Sequence, residues 1–279
     1  MNDDARRKWG TAMDDNGTFA RRVRLRHLYR HDESGLLVVP LDHAIGSGPL
    51  RRRGDLDSLV AELGDNGADA VVLHKGAVRR VRPQRFRRLS LVLHLNAGTG
   101  LAPDPDAKYP VATVEEALRL GAEAVSVHVN LSSPTEDRQV AHLAAVAGDC
   151  DRWGVPLLAM MYVRGPQALD GGAPAVLAHA LAVATELGAD LVKTSLPEPA
   201  AAVTRITGSC PVPVLAAGGA PGGSPGPGSR AVLTRLAEAV RAGAGGIAAG
   251  RLVFTADDPA AMVRRLATLV HDRAAAVLR

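Results

Sequence analysis

Eight short apolar runs recur along the chain, at residues 36–40, 70–73, 91–95, 124–129, 156–160, 190–193, 212–216 and 246–249. They are continuously apolar instead of alternating, as in strands covered on both faces of a sheet. Between them lie amphipathic stretches such as 55–63, 114–120, 175–187, 231–242 and 259–270, which predict helices. Strand and helix in regular alternation predict an α/β fold with a parallel sheet. Eight such units favour a closed (β/α)8 TIM barrel over an open sheet. The alternative, a doubly wound open sheet, is weakened because no Gly-x-Gly-x-x-Gly follows the first strand.

The phrase Gly-Ala-(Asp/Glu) precedes three of the runs, at Gly67-Ala68-Asp69, Gly121-Ala122-Glu123 and Gly188-Ala189-Asp190, with Gly243-Ala244-Gly245 as a variant. A glycine just past a helix adopts the left-handed conformation that turns the chain back into the sheet, so the repeat marks the fold and not a function. Residues 1–34 precede the first strand and are expected to cap the barrel bottom as an N-terminal extension, leaving 35–279 for the barrel. The stretch 218–229 is almost wholly Gly, Pro, Ser and Ala and predicts a loop after the seventh strand, where barrels commonly bind phosphate.

Composition narrows the picture. A barrel of roughly 250 residues plus an extension suits a 279-residue chain. Aromatic residues are only 3% of the chain, so Ala, Val and Leu must build the core. The formal net charge is +4, a weak basic balance that suits small phosphorylated or carboxylated molecules. Arginines cluster at 21–30, 51–53 and 79–88, but without interleaved aromatics or a binding motif they read as solvated faces, and no nucleic-acid partner is expected. Cys150 and Cys210 form neither a metal spacing nor a disulfide framework. That usage, with no apolar signal region and no run of 18 apolar residues, predicts a cytoplasmic protein without a membrane partner.

In a TIM barrel the chemistry sits at the C-terminal strand ends. Taken in order, these ends carry Asp42 and His43, His74 and Lys75, His94 and Asn96, His128 and Asn130, Tyr162 and Arg164, Lys193, Gly218 and Gly219, and Gly250 with Arg251. Lys193 is the most informative. It is one of four lysines among 33 basic residues, and it closes the apolar run Ala189-Asp190-Leu191-Val192. Burial strips an ammonium of hydration and favours the neutral amine, a nucleophile toward carbonyl carbon. A lysine, a tyrosine and a carboxylate converging on one barrel mouth would cost several kcal/mol unless they pair or act. Each histidine taken alone is equally well explained as a structural hydrogen-bonding group.

Seven segments carry a resemblance in matching order: Leu41-Asp42-His43, Leu73-His74-Lys75-Gly76, Val127-His128-Val129-Asn130, the stretch from Pro156 to Gly165, Ala189-Asp190-Leu191-Val192-Lys193-Thr194, Ala217-Gly218-Gly219 and Gly250-Arg251-Leu252-Val253-Phe254. From about Arg24 to His271 the chain resembles the archaeal-type class I aldolases, a group that includes fructose-bisphosphate aldolase and 2-amino-3,7-dideoxy-D-threo-hept-6-ulosonate synthase. The sugar-bisphosphate enzymes tend to have tryptophan two residues before the tyrosine, where this chain has Met160. The resemblance is therefore nearer the heptulosonate synthase branch and the bacterial aldolases that join dihydroxyacetone phosphate to aspartate semialdehyde for aminohydroxybenzoate products. Three positions depart from the usual pattern: Ala44 for glycine, Val163 for proline and Leu252 for asparagine. Leu252 and the altered loop put phosphate binding, and hence the donor, in question.

The resemblance implies Schiff-base chemistry at Lys193, with Tyr162 as proton shuttle and Asp42 assisting proton transfer. It implies phosphate recognition by Gly218, Gly219, Gly250 and Arg251, and acceptor contacts from His43, His74, His128 and Arg164. Lys75 is either a ligand for a substrate carboxylate or a rim residue. Neither a cofactor nor a metal is expected, and the family implies homo-oligomeric rings such as decamers. Fructose-1,6-bisphosphate cleavage and a phosphate-binding barrel without catalysis stand as alternatives.

Overall fold

Residues 17–29, 35–49, 55–165, 168, 172–219 and 229–271 are described by the computed structural model. Ten strands occur among them: β1 (Leu36–Pro40), β2 (Ala70–Leu73), β3 (Ser90–His94), β4 (Asn96–Ala97), β5 (Tyr109–Pro110), β6 (Ala124–Leu131), β7 (Leu157–Val163), β8 (Leu191–Thr194), β9 (Val214–Ala217) and β10 (Gly246–Ala248). Eight of them close into a parallel barrel in the order β1-β10-β9-β8-β7-β6-β3-β2. These are the eight apolar runs read from the sequence, and the (β/α)8 TIM barrel is the observed fold. The small antiparallel pair β4–β5 has no counterpart in that reading.

Helices fill the outer layer where amphipathic stretches were predicted, and Glu136–Trp153 and Ala200–Ser209 complete it. Local chemistry sets several of their starts. Asp55 accepts a hydrogen bond from the Ser58 N–H at 2.7 Å, and Thr113 and Glu116 form a reciprocal capping box. At Gly67, Gly121, Gly188 and Gly243, φ lies between 77° and 109°, as the repeated Gly-Ala phrase requires.

Alternation along the strands sorts their side chains into two cores. Outward residues such as Val39, Val71, Leu93 and Val192 pack under the helices. Inward residues such as Val38, Val72, Leu158, Met160, Leu191 and Leu215 fill the barrel. Leu25 and Leu28 of helix α1 (Phe19–Leu28) join that inner cluster. Ser90, at the start of β3, donates from its hydroxyl to the His27 carbonyl at 3.0 Å, so α1 plugs the N-terminal end of the barrel. Arg21 approaches the buried Asp190 at 3.5 Å, and Asp190 also accepts from the Leu157 N–H at 2.8 Å. Burying each of the two leucines contributes roughly 1.5–3 kcal/mol to holding that plug.

Two strands outrun their predicted ends. β6 reaches Leu131 and β7 reaches Val163, in register Asn130↔Tyr162, so Tyr162 stands on a strand and not after it. Polar Asn130 breaks the apolar run before β6 ends at Leu131, and Tyr162 interrupts it before β7 ends at Val163.

Candidate active site

A cleft of about 380 Å³ opens at the C-terminal end of the barrel, and Asp42, Tyr162 and Lys193 all line it. Lys193 follows Leu191 with the same inward parity, one step higher in the barrel. It is 8% exposed, and its register partner on β7 is Met160. The Lys193 Nζ lies 3.9 Å from the Met160 sulfur, a weak acceptor and its one hydrogen-bond contact among the described residues. The amine is therefore not committed to a carboxylate.

Asp42 lies among three imidazoles. Its Oδ1 is 3.5 Å from His43 Nδ1 and its Oδ2 is 3.6 Å from His94 Nε2. Burial alone would raise its carboxyl, but His94, His43, Lys193 and His74 together hold it well below the usual carboxylate range. Neither Asp42 Oδ1 nor His43 Nδ1 has a hydrogen-bond partner among the described residues, which leaves both available to a substrate or water. His94 is fixed from behind by Ser126 Oγ, 2.8 Å from its Nδ1.

Tyr162 packs against two neighbours. Its ring centroid is 5.0 Å from that of His128, and the Arg164 guanidinium lies 4.4 Å above it. His128 is oriented by a chain of amides. Asn130 donates from Nδ2 to the Asp106 carbonyl at 2.8 Å, which turns its Oδ1 toward His128 Nε2, also at 2.8 Å. Nε2 must then carry the proton, leaving Nδ1 as the acceptor.

Gly218, Gly219, Gly250 and Arg251 form the opposite wall, at the ends of β9 and β10. A Cβ on Gly250 would collide with the Pro40 carbonyl and come 2.7 Å from His43 Cε1, so this close approach requires glycine. At Gly219 a Cβ would sit 2.9 Å from Arg251 Nη2, so the guanidinium and two bare backbone segments share one corner. Such a corner has the donor chemistry of an anion site. Among the described residues no group of three or more His, Cys, Asp and Glu converges as a metal-ligand set. No helix there is long and apolar enough to cross a membrane.

The description "DeoC/LacD family aldolase" belongs to a family model that matches residues 36–256, nearly the whole barrel. The chain belongs to this family. It is an aldolase, an enzyme of carbon–carbon bond making and breaking, with class I relatives. It is 53% identical over 260 residues, 93% of each chain, to the 2-amino-4,5-dihydroxy-6-oxo-7-(phosphonooxy)heptanoate synthase of Streptomyces griseus. With the 2-amino-3,7-dideoxy-D-threo-hept-6-ulosonate synthase of Halobacterium salinarum it shares 40% identity over 262 residues, 94% of each chain. Among solved structures it is similar to an archaeal fructose-1,6-bisphosphate aldolase whose catalytic lysine is covalently bound to the carbinolamine intermediate. The TM-score is 0.78 at 28% identity, covering 90% of this chain and 99% of that one.

In the aldolase, the strand-end residues singled out from the sequence line the cleft except Asn130, buried behind His128, and Lys75. Lys75 is 45% exposed and forms an ion pair with Glu116 at 3.1 Å. β2 ends at Leu73 and the chain turns into a short helix, Lys75–Val78, so strand alternation no longer aims this side chain inward. The Lys75 side chain stands at the rim, outside the cleft lining. The segment 220–228 of the Gly/Pro-rich stretch lies outside the described residues, as do 1–16 and 30–34 of the N-terminal extension and the arginines at 51–53. Lys108 and Ser195 also line the cleft and were not singled out, and His94 and Asn96 were noted at a strand end without a role.

The histidines make the enzyme acid-sensitive. His43, His74, His94 and His128 are all held below the ordinary imidazole value, first of all by burial, and His94 is pushed down to about 4. Above about pH 6.5 an imidazole is neutral in the folded and the unfolded chain alike. Between 6.5 and 4 the unfolded chain takes up a proton that folded His94 refuses, so stability falls with pH. Denaturant titrations at pH 7 and 4.5 should differ by about 2 kcal/mol on account of His94. An equal acid loss in His94→Asn would exclude His94 as the source.

Proposed function

We propose that this aldolase joins dihydroxyacetone phosphate to L-aspartate 4-semialdehyde through a Schiff base on Lys193. The observation that carries the reading is an uncommitted lysine amine buried in a cleft with an ionised carboxylate and a tyrosine. The product named for the Streptomyces griseus relative supports the substrates. It has a ketone at C6 and a hydroxyl at C4, so the aldol bond is C4–C5. Cutting that bond leaves a three-carbon phosphorylated ketone and a four-carbon amino-acid aldehyde. The product named for the Halobacterium salinarum relative lacks oxygen at C7 and implies no phosphate there. The Arg251–Gly219 corner favours the phosphorylated donor.

The steps follow from the groups present. Neutral Lys193 Nζ adds to the ketone carbon, and the carbinolamine loses water to give an iminium. That cation withdraws electrons from the hydroxyl-bearing carbon, which releases a proton and leaves an enamine. The enamine carbon attacks the aldehyde carbon, and the new alkoxide takes a proton. Water then adds to the second iminium, and cleavage of the C–N bond restores the ketone and the free lysine. Tyr162 shuttles the protons. Asp42, held ionised, stabilises the iminium and assists proton transfer. A cytoplasmic setting suits the two buried free thiols, and assembly into homo-oligomeric rings is part of this reading.

Borohydride reduction in the presence of dihydroxyacetone phosphate tests it. One donor-derived mass should appear on the peptide containing Lys193. Labelling of Lys75 or Lys108, or no labelling, contradicts the proposal. The same enzyme cleaving fructose 1,6-bisphosphate faster than it condenses with aspartate semialdehyde would favour the sugar-bisphosphate reading.

A further inference from the structure

The barrel order puts Lys193 on β8, between two polar arcs of the cleft wall. On one side, β9 and β10 end in Gly218, Gly219, Gly250 and Arg251. On the other, β7 and β6 carry Tyr162 and His128, and Arg164 follows the end of β7. A long loop between β4 and β5 bends over this second arc and brings Lys108 into the cleft wall. The loop is held by buried amides. The Asp106 carbonyl accepts from Asn130 Nδ2 at 2.8 Å and from Gln139 Nε2 at 3.0 Å.

Lys108 is itself preorganised. Its Nζ donates to the carbonyls of Pro105 at 3.2 Å and Ala107 at 3.1 Å, which leaves one N–H. Neither Lys108 nor Arg164 makes an ion pair among the described residues. Burial lowers the Lys108 ammonium most, Asp106 and Asp104 partly offset this, and the nearby Arg164 charge lowers it further. Arg164 repels Lys108 across this arc, and a bound anion would offset that repulsion.

From this geometry we infer that Lys108, together with Arg164, grips the carboxylate of the acceptor aldehyde. Lys108 thereby selects an amino-acid aldehyde over a neutral one. The inference rests on the proposed condensation and adds its acceptor site. The two arcs then hold the two anionic ends of one substrate pair, phosphate at β9–β10 and carboxylate under the loop. The aldehyde carbon comes to lie beside Tyr162, which Arg164 covers.

The test compares Lys108→Met and Lys108→Arg with the unsubstituted enzyme. The readout is the ratio of kcat/KM for aspartate semialdehyde to kcat/KM for an uncharged aldehyde such as propanal. Loss of one charged hydrogen bond predicts a roughly tenfold to hundredfold fall in that ratio for Lys108→Met, carried mainly by acceptor KM, and partial rescue by Lys108→Arg. Donor trapping on Lys193 in each variant reports an intact barrel. An unchanged ratio or an equal loss with both aldehydes overturns the assignment, read in whichever of the two variants still traps donor. So does an unsubstituted enzyme that prefers glyceraldehyde 3-phosphate, since the arc would then serve a phosphate. Failure of donor trapping in the unsubstituted enzyme defeats the condensation reading itself, and this inference with it.

Discussion

Replacing Lys193 with methionine is expected to abolish borohydride-dependent attachment of the donor and to lower turnover by on the order of 10⁴-fold or more, as removal of a covalent nucleophile does in other enzymes. Methionine matches most of the lysine stem. It would extend the apolar contact with Met160 and leave the inner cluster around Leu191 and Leu215 filled. The variant should therefore fold, so that lost activity reports lost chemistry. Among the described residues no other lysine is placed to substitute. Lys75 is engaged with Glu116 outside the cleft, and two N–H groups of Lys108 are bound to backbone carbonyls. Mass spectrometry after reduction, with initial rates of aldol formation, checks the expectation. Turnover above a tenth of the original would mean that the carbonyl is activated elsewhere.

Tyr162→Phe should lower turnover by roughly 10²–10⁴-fold, the usual contribution of a positioned proton donor or acceptor. The ring contacts with His128 and Arg164 involve the aromatic faces and survive the change, so the cleft keeps its shape. The lysine amine is untouched, and the donor should still be trapped on Lys193, although more slowly. This pattern separates proton transfer from nucleophilic attack, because Lys193→Met removes trapping and Tyr162→Phe spares it. Full turnover in Tyr162→Phe would pass the shuttle role to another cleft group. His128 would be the first to examine, since its Nδ1 is left as an acceptor by the bond to Asn130.

The fold was legible because strand parity and helix amphipathicity are local properties. A run such as Leu191-Val192-Lys193 states by alternation alone that Leu191 and Lys193 share a face, and the inner cluster shows that the face is inward. The same reasoning reached His74, His128 and Tyr162. It stopped short on β6 and β7, where Asn130 and Tyr162 interrupt the apolar run while the strand continues. Lys75 could not be placed from the sequence because it lies two residues past the end of β2, beyond the reach of the strand rule. There the chain is already helical and Glu116, 41 residues away, decides where the side chain points.

Lys108 shows the other limit. Its loop follows no periodicity, and its place over the cleft depends on Asn130 and Gln139 reaching back to the Asp106 carbonyl across 24 and 33 residues. Nothing near Lys108 in the chain announces those bonds. The ionised state of Asp42 is likewise a property of the assembly, set by His94, His43, Lys193 and His74 against the penalty of burial.

By itself the sequence determined the eight-stranded barrel and the arrival of a lysine at the inner face of β8. Each of these follows from hydrophobic spacing over a few residues. Only the tertiary structure decided which rim residues turn into the cleft, which pair outside it, and which charges are left facing one another. Those outcomes depend on distances between residues far apart in the chain, and no local pattern encodes them.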